Sequence, residues 1–292
     1  MNRQTNTPSD PPFGDYTEIG DLDESRIRLF REYIYTYYGD AGRSFPWRET
    51  TDPYAILVSE IMLQQTQTER VLQKYTNFLA RWPSFGHLAA ATLAEVYEVW
   101  RGLGYNRRAK ALLDIAKLVT GEFGGKLPET LIALTSLPMI GHATAAAISA
   151  FAFGNAVAYL ETNIRRVYIH FFFVGRAKVH DRELLPLVDC TLDRDEPRHW
   201  FYGLMDYGVH LKKTLPNPNR RSVHYSRQSE FEGSDRQIRG SILRHLGDNK
   251  RSSAVALIEG LLYDGDRIEK CLAALVEEGF VAEDNAVYRI GD

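Results

Sequence analysis

Apolar residues recur at the spacing of an α-helix through most of this chain. Between Glu24 and Tyr38 the pattern is that of an amphipathic helix, and residues 53–66 are apolar nearly all round until Gln64, which predicts a buried helix. Strand-like alternation is rare before residue 280. The main body is therefore predicted to be all-α, with further helices at roughly 67–81, 92–101, 105–121, 128–135 and 142–153, and more between 163 and 230.

Residues 233–292 form a separate pattern. Three short helices and a hairpin that turns at Asp284-Asn285 are predicted there. This combination suggests a small C-terminal winged-helix-like module, a type of module that binds DNA or proteins. The predicted elements span 237–246, 253–262, 267–278 and 279–290.

The composition narrows the class of protein. A chain of 292 residues is long enough for two or three packed units. No apolar run approaches the ~18 residues of a membrane span, and residues 1–13 lack the apolar core of a signal peptide. We therefore expect an intracellular, cytoplasmic protein, nucleoid-associated if bacterial, with a flexible tail at 1–20. Its two cysteines, Cys190 and Cys271, cannot form a four-cysteine metal or iron–sulfur site and are expected to be buried thiols.

Basic residues are unevenly distributed, although the formal net charge is only −3. Residues 212–251 contain ten Lys or Arg and four acids, and residues 101–110 contain basic residues and no acid. Such stretches are typical of nucleic-acid-binding surfaces. Two solvated faces without a ligand are an equally good interpretation of the charge alone.

Glu60 is a carboxylate in the middle of an apolar helix, within the sequence Ser59-Glu60-Ile61-Met62-Leu63-Gln64-Gln65-Thr66. Burial of an acid is unfavourable unless the acid is paired, protonated or functional. Desolvation would raise its pKa, which suits a general acid near neutral pH. The alternative is that Glu60 only bonds a buried backbone group or an arginine.

A compact helix–hairpin–helix is predicted around Leu137 to Ala147, where a tight turn at Pro138–Gly141 joins a short helix to an alanine-rich one. Exposed amides of the turn and of the second helix would form a cradle for a phosphate. Contacts of this kind hold a DNA backbone without reading its sequence. An ordinary helical hairpin with close alanine packing is the alternative.

A second acid, Glu161, lies shortly after the alanine-rich helix, in Tyr159-Leu160-Glu161-Thr162-Asn163-Ile164-Arg165-Arg166-Val167. The segment has the pattern of a loop that leads a carboxylate into an apolar helix. Capping of that helix by Glu161 or Thr162 is the alternative role.

The order and separation of five blocks resemble those of the helix-hairpin-helix DNA glycosylases, and within them the MutY-type adenine glycosylases. The resemblance covers about residues 43–210. The Met-Leu-Gln-Gln-Thr and Gly-Leu-Gly-Tyr sequences are its most specific parts. The blocks are Phe45–Arg48, Ser59–Thr66, Gly102–Tyr105, Leu137–Ala147 and Leu160–Val167.

The resemblance implies a two-lobed helical fold with a helix-hairpin-helix motif, and the separate pattern of residues 233–292 adds the small winged-helix-like module. We expect one discontinuous helical lobe at 21–54 and 164–232, a six-helix lobe at 55–163 and the module at 233–292.

The resemblance also implies roles for individual residues. Glu60 matches the acid that protonates the purine ring, Glu161 stands at the position of the aspartate that stabilises the oxocarbenium sugar, and Asn163 accompanies it. Gln65 matches the residue inserted into the duplex beside the extruded base, and Tyr105 an aromatic residue beside the lesion. Together with the basic stretches, this gives the predicted DNA contacts: Gln64, Gln65, Thr66, Tyr105, Arg107, Arg108, Pro138, Ile140, Gly141, His142, Thr144, Arg220 and Arg221.

Three positions depart from the family pattern. Glu161 is longer by one methylene than aspartate, and a displacement of about 1 Å at a catalytic group can cost ~100-fold in rate. Met139 stands where the hairpin usually has glycine, although methionine takes a positive φ less readily. Ala143 stands where endonuclease III-like enzymes carry a nucleophilic lysine. Without that amine no Schiff base forms, so β-lyase activity is not expected.

The iron–sulfur cluster typical of the family is also not expected. The matching positions hold Lys212, Asn219, Ser222 and Gln228 instead of cysteines. We expect no cofactor, and a basic loop that includes Arg220, Arg221 and Arg227 to bind the DNA backbone with a salt-sensitive affinity.

The sequence therefore predicts a monomeric, monofunctional DNA glycosylase of base excision repair. Its expected partner is double-stranded DNA with a damaged or mispaired base, and its expected substrate is adenine opposite guanine or 8-oxoguanine. No known 8-oxoguanine-recognising C-terminal domain is apparent, so the adenine assignment depends on the catalytic half of the chain. The alternatives are a thymine or uracil mismatch glycosylase, a non-catalytic DNA-damage-binding protein and a helical transcription regulator.

Overall fold

The computed structural model describes residues 22–226 and 230–291, which are mainly helical as predicted. The tail expected at 1–20, together with Arg227 and Gln228, lies outside the described residues. No described helix is long and apolar enough to cross a bilayer. The helices are α1 (Glu24–Ala41), α2 (Pro53–Leu63), α3 (Thr68–Arg81), α4 (Phe85–Ala89), α5 (Leu93–Trp100), α6 (Arg107–Glu122), α7 (Leu131–Thr135), α8 (His142–Phe153), α9 (Thr162–Phe172), α10 (Asp181–Thr191), α11 (Pro197–Thr214), α12 (Asp235–Asn249), α13 (Ala254–Gly260) and α14 (Gly265–Glu277).

Two short 3-10 helices and three strands complete the regular structure of the described residues. The 3-10 helices are Pro46–Arg48 and Pro218–Arg221, and the strands are β1 (Ser252–Ser253), β2 (Val281–Asp284) and β3 (Val287–Ile290).

The described residues form two compact units, with boundaries that differ from the predicted ones. The first unit contains 22–51 and 141–226, and the second contains 52–140 and 230–291. Residues 141–163 were expected in the six-helix lobe but group with the first unit. One reason is that α8 packs against α11, where the ring of Phe151 stacks on Tyr202 with centroids 4.5 Å apart.

The core of the first unit is an aromatic cluster between α1, α9 and α11. Phe30 on α1 lies at its centre and is fully buried. Edge-to-face contacts of this kind add to the stabilisation by apolar burial. The rings around Phe30, with centroids 4.9–5.6 Å away, are those of Tyr168, Phe171, Phe172 and Trp200.

The second unit is built on α2, which is buried along most of its length as its apolar sequence predicts. Asp52 caps α2 by accepting hydrogen bonds from the first-turn amides, and Pro53 occupies its first position. The helix ends at Leu63, three residues before the predicted end at Thr66. The intervening turn has Gln65 in the left-handed region, at φ = 55°.

The C-terminal part of the second unit contains the three helices and the hairpin that the sequence predicts. The strands form a small antiparallel sheet in the order β1-β3-β2, with Val281 opposite Ile290 and Asp284 opposite Val287. Asn285 and Ala286 both have positive φ at the hairpin turn, as a tight two-residue turn requires. The short strand β1 was not predicted, because two residues are too few for a visible alternation.

Candidate functional site

Glu161 is the residue at which helix α9 begins. Its Oε1 accepts hydrogen bonds from the backbone nitrogens of Asn163 at 2.6 Å and Ile164 at 2.8 Å. Its Oε2 accepts a third hydrogen bond from the Asn163 side-chain amide at 3.2 Å. The capping role considered from the sequence is therefore present, and it fixes the carboxyl group at the amino end of α9.

The pKa of the Glu161 carboxyl is raised above the ordinary value for glutamate. Burial is the dominant cause, because it disfavours the charged form. The two backbone hydrogen bonds and the positive charges of Arg166 and Arg165 act in the opposite direction but do not outweigh it. Glu161 therefore binds a proton at a higher pH than an exposed glutamate does.

Asn163 is oriented by the buried guanidinium of Arg166. One nitrogen of Arg166 donates to Asn163 Oδ1 at 2.7 Å and to the carbonyl of Gly208 at 2.6 Å, and Nε donates to Asn217 Oδ1 at 3.0 Å. No role was assigned to Arg166 from the sequence. Its place three residues after Asn163, on the same helical face, is the signal that could have indicated it.

Gly208 on α11 allows the two helices to approach closely at this point. A Cβ atom at position 208 would lie 2.5 Å from the carbonyl oxygen of Asn163 and 2.7 Å from its Cβ. Any larger residue would therefore displace the amino end of α9, which carries Glu161.

The Phe45–Arg48 block is held to α11 by Asp206, a residue to which no role was assigned from the sequence. Arg43 and Arg48 bind both oxygens of this buried carboxylate at 2.7–2.8 Å. Burial alone would raise the pKa of Asp206, but the hydrogen bonds and charges of Arg48 and Arg43 hold it below its ordinary value. The block therefore has a structural role within the first unit.

Glu60 lies on α2 in the second unit. Its side chain is half-buried, whereas the neighbouring Ser59 and Ile61 are buried. Glu60 and Glu161 thus come from different compact units of the chain.

The turn after α2 carries the three polar residues predicted to contact DNA. Gln65 is exposed, and Gln64 and Thr66 are half-buried. A buried guanidinium, that of Arg108 on α6, binds this turn: it donates to the carbonyl oxygens of Met62 at 2.8 Å and Gln64 at 2.5 Å, and to Thr66 Oγ1 at 2.9 Å.

Arg108 was predicted to contact DNA, and the structure corrects this. Arg108 is only 2% exposed. Its guanidinium also binds the carbonyl of Gly104 at 3.0 Å and lies 5.3 Å from the centroid of the Tyr105 ring. Burial lowers the pKa of Arg108 to about 10, so the side chain remains charged at neutral pH. Arg108 therefore joins the turn after α2 to the Gly102–Tyr105 turn.

Tyr105 occupies a backbone conformation that is unusual for its residue type. It has φ = 49°, and its side chain is half-exposed. Arg107, the other predicted DNA contact beside it, is exposed but forms an ion pair with Glu278 and is thus already engaged within the second unit.

The predicted phosphate-binding hairpin has a left-handed residue at the position where the resemblance implied glycine. Met139 adopts φ = 58°, so methionine retains the glycine-like geometry that the sequence put in doubt. Gly141, the N-cap of α8, and His142 are exposed, while Pro138 and Thr144 are partly exposed. The side chain of Ile140 is buried, which leaves only its backbone as a possible contact.

The loop after α11 is organised by side chains other than cysteine. Arg221, a predicted DNA contact, donates to the carbonyl oxygens of Phe173 and Ile169 at the end of α9, and Arg220 is exposed. The buried Asn219 donates to the carbonyl of Thr162 at 2.8 Å. The loop therefore bonds directly to both ends of α9.

These residues do not fit an iron–sulfur cluster. Such clusters are held by thiolates, whereas Lys212, Asn219 and Ser222 offer an ammonium, an amide and a hydroxyl. Cys190 belongs to α10 and Cys271 to α14, so neither is part of this loop, and only Cys271 is buried as expected. Within 22–226 and 230–291, no group of three or more His, Cys, Asp or Glu could hold a metal ion.

Sequence comparisons match residues 58–187 to the model of the HhH-GPD superfamily of base excision DNA repair proteins. The chain is 32% identical over 271 residues to an adenine DNA glycosylase of Mycolicibacterium smegmatis, covering 86% of this chain and 92% of that protein. It is 33% identical over 210 residues to the human adenine DNA glycosylase, covering 68% of this chain but only 38% of the human protein.

A thymine/uracil-DNA glycosylase of Methanothermobacter thermautotrophicus is 30% identical over 195 residues, covering 65% of this chain and 88% of that protein. Among solved structures, a thermostable thymine-DNA glycosylase matches with a TM-score of 0.57 and 28% identity, over 63% of this chain and 87% of that one. An endonuclease III in a trapped DNA complex matches in fold, with a TM-score of 0.51 and 19% identity, over 65% of this chain and 86% of that one. The chain therefore belongs to the HhH-GPD superfamily of base excision DNA repair proteins, among the relatives of the MutY-type adenine DNA glycosylases.

Proposed function

We propose that this protein is a monofunctional DNA glycosylase that removes adenine mispaired with guanine or 8-oxoguanine. The observation that carries the proposal is the fixed carboxyl of Glu161 at the start of α9, in a chain whose relatives over most of its length are adenine DNA glycosylases. Its substrate is double-stranded DNA, on which the enzyme acts as a monomer and without a cofactor.

In this proposal the target nucleotide leaves the duplex before the reaction, because a stacked base cannot be reached. Glu60 gives a proton to the purine ring as the N-glycosidic bond breaks, and the bonding electrons leave with the base. The ionised carboxylate of Glu161 stabilises the positive charge that develops on the sugar. Water then adds to the sugar carbon and passes a proton to the Glu60 carboxylate, which gives an abasic site and restores the acid.

The exposed Gln65 enters the space left by the extruded base, and Tyr105 lies beside the base on the opposite strand. The hairpin around Gly141 and the amino end of α8 bind a backbone phosphate through their amides. The absence of an amine at Ala143 supports the proposal that the enzyme has no lyase activity.

A thymine or uracil mismatch glycosylase is the second candidate. The similarity to a thymine/uracil-DNA glycosylase over 88% of that protein favours it. In that case the same two carboxyls act on a pyrimidine, whose ring and exocyclic groups, which face the proton donor, differ from those of adenine.

A panel of duplexes, each with one defined mispair, separates the candidates. Purified protein is incubated with A:8-oxoguanine, A:G, G:T, G:U and fully paired duplexes, and abasic sites are detected by alkaline cleavage. We expect cleavage of the two adenine duplexes only. Cleavage of G:T or G:U alone supports the second candidate and removes the first.

The Glu60→Gln variant distinguishes an enzyme from a protein that only binds damage. We expect it to retain affinity for the A:8-oxoguanine duplex and to lose base release by at least ~100-fold. If the unmodified protein binds mispaired duplexes but releases no base from any of them, it is a binding protein. Failure of borohydride to trap a covalent complex supports the proposed absence of lyase activity.

A further inference from the structure

The C-terminal part of the second unit, here called the C-terminal module (residues 235–291), has its own apolar core. The buried residues come from α12, α14 and the hairpin, so the module is a folded body and not a loose extension. They include Ile238, Ile242, Leu246, Ile268, Leu272, Leu275, Phe280 and Ile290.

The C-terminal module is attached to the segment 97–110, which contains the Gly102–Tyr105 turn. Arg101 forms a bidentate ion pair with Asp248 on α12, with distances of 2.8 and 3.3 Å. Glu278 binds Arg107 from this segment and also Arg239 of the module. Because Glu278 is only 22% exposed at its side chain, this double ion pair is less screened than a surface pair.

Backbone contacts are close at two further points of the same attachment. A Cβ atom at Gly247 would lie 3.6 Å from the ring of Tyr97, and one at Gly279 would lie 3.3 Å from Cε of Lys110. The attachment therefore combines packing with charge pairs on both sides of the Tyr105 turn.

Arg236, in the first turn of α12, contacts Tyr105 itself. Its Nη1 donates to the Tyr105 hydroxyl at 3.3 Å, and its Nη2 donates to the carbonyl of Glu230 at 3.2 Å. Tyr105 is therefore held from two directions: Arg108 contacts the ring and the backbone carbonyl, and Arg236 contacts the hydroxyl at the opposite end of the side chain.

The charges on α14 do not suit direct binding to DNA. The exposed positions of α14 carry Asp266, Glu269 and Glu277 against Arg267 and Lys270, and Arg267 is paired with Asp235.

The hairpin turn adds two more exposed acids, Glu283 and Asp284. Phosphate binding depends on unpaired cations, so the third helix and the hairpin are poor candidates for a DNA-binding surface.

We propose that the C-terminal module serves as a positioning element for Tyr105, and that Arg236 is the residue through which it acts. The inference rests on the proposed function, because it gives Tyr105 its place beside the base opposite the target. The backbone of Tyr105 is left-handed, and the bond to Arg236 restricts its ring to one orientation. The module thereby contributes to recognition of the mispair without reading DNA through its own third helix.

A double-mutant cycle between Arg236 and Tyr105 tests this inference. Arg236→Gln and Tyr105→Phe each remove the hydrogen bond, and we expect each to slow single-turnover base release from the A:8-oxoguanine duplex by about tenfold. Because both variants break the same bond, the double variant should be no slower than either single variant. Independent, multiplicative effects overturn the proposal.

Salt dependence separates positioning from a direct phosphate contact. A residue that neutralises a phosphate lowers the slope of log affinity against log salt by about one when it is removed. We expect that slope to be unchanged in Arg236→Gln. If Arg236→Gln reduces this slope, and its effect on the rate is independent of that of Tyr105→Phe, then Arg236 binds the DNA backbone and the proposal is overturned.

Two further variants complete the experiment. Arg236→Lys keeps a donor near the Tyr105 hydroxyl. If Arg236→Gln loses only this contact and keeps its fold, Arg236→Lys should recover part of the lost rate. Arg244→Gln, at an exposed position of the same helix, is the matched control and should behave as the parent. Melting temperatures of all variants identify any that fail to fold.

A measurement of DNA affinity tests the inference separately from the proposed function. In a Glu60→Gln background, the ratio of affinities for the A:8-oxoguanine and the fully paired duplex is measured with and without Arg236→Gln. We expect a fall in this ratio of about tenfold. If the parent releases no base but the ratio still falls, the proposed activity fails and the positioning role stands; an unchanged ratio contradicts the positioning role.

Discussion

At position 139 the structure places a methionine in a backbone conformation that favours glycine. The side chain is 48% exposed, so packing contributes little to hold it there. A left-handed conformation costs a non-glycine residue about 1 kcal/mol. The geometry of the hairpin is evidently maintained by the residues on either side of it, since Ile140 and Leu137 are buried and hydrogen-bonded to each other through their backbones.

Met139→Gly should therefore stabilise the protein. We expect the free energy of unfolding to rise by about 0.5–1 kcal/mol, because relief of the left-handed strain exceeds the extra entropy of an unfolded glycine. Urea denaturation measures the change. Lys178→Gly, at another exposed residue with φ = 59°, is a matched control that should show a similar gain. A loss of stability in Met139→Gly alone would indicate that the methionine side chain has a packing role.

Glu161 combines a helix-capping role with a raised pKa. Its hydrogen bonds use both carboxyl oxygens, yet its pKa is raised because burial outweighs them. The sign of the resulting effect on stability follows directly. A glutamate whose pKa is higher in the folded state stabilises the fold when protonated, and this contribution is lost as the pH rises through the folded-state pKa.

Glu161→Gln should therefore become more stable relative to the parent as the pH is raised from about 4 to 8. Glutamine keeps one acceptor for the amides of α9 and removes the buried charge. Glu183→Gln is the opposite control. The carboxylate of Glu183 accepts a hydrogen bond from the His180 backbone nitrogen and pairs with Arg176, and both interactions lower the pKa of Glu183. That variant should lose stability relative to the parent over the same range. Thermal melts across pH measure both slopes, and parallel curves for Glu161→Gln and the parent would contradict the raised pKa.

At the scale of elements, the sequence predicted the helices well but placed one important side chain on the wrong side of its helix. The basic stretch 101–110 led to the expectation that Arg108 contacts DNA. The periodicity of α6 gave the opposite signal, since positions 108, 112, 115 and 119 fall on one helical face and all are buried. Charge favoured exposure and periodicity favoured burial. The uncapped carbonyls at the end of α2, which decided the outcome, are not visible in a linear sequence.

Other features lay beyond the sequence for a similar reason. Asp206 and Gly208 are ordinary residues of α11 until their partners, Arg43 with Arg48 and the backbone of Asn163, are brought against them. These contacts span long separations in the chain, so no local pattern encodes them. The site residues predicted from the sequence are those that belong to short continuous motifs.

Replacement of Arg108 should affect two turns together. Arg108→Met leaves several buried carbonyl oxygens without donors, and we expect a loss of about 3 kcal/mol or more in the free energy of unfolding. DNA affinity should fall as well, because both the Gln65 and the Tyr105 turns lose their common anchor. Denaturant unfolding and duplex titration are the measurements. Lys117→Met, an exposed position of the same helix, is the control and should change stability by less than about 0.5 kcal/mol.

At the scale of the whole molecule, the chain divides into two units, each formed from segments that are distant in sequence. The first unit contains Glu161 and the loop after α11. The second contains Glu60, the turns that carry Gln65 and Tyr105, and the C-terminal module. Within the first unit, Asn219 and Arg221 bond directly to α9, in the loop where the family resemblance implied the cysteines of an iron–sulfur cluster.

The protein should therefore be independent of iron. We expect metal analysis of the purified protein to find no stoichiometric iron, and neither a chelator nor ferricyanide to change base release or the melting temperature. Replacement of Asn219 by Ala should instead lower the melting temperature by a few degrees, through loss of the bond to Thr162. Visible absorption typical of a cluster, or loss of activity on chelation, would contradict this expectation.

The single guanidinium of Arg108 also couples the motion of two turns. The turn at 64–66 and the turn at 103–105 share one hydrogen-bonding partner, so neither can detach fully without disturbing the other. Amide hydrogen exchange reports such linked openings on the timescale of minutes to hours. The backbone amides of Thr66 and Leu103 should exchange with a common rate and respond equally to mild denaturant, as parts of one cooperatively opening segment.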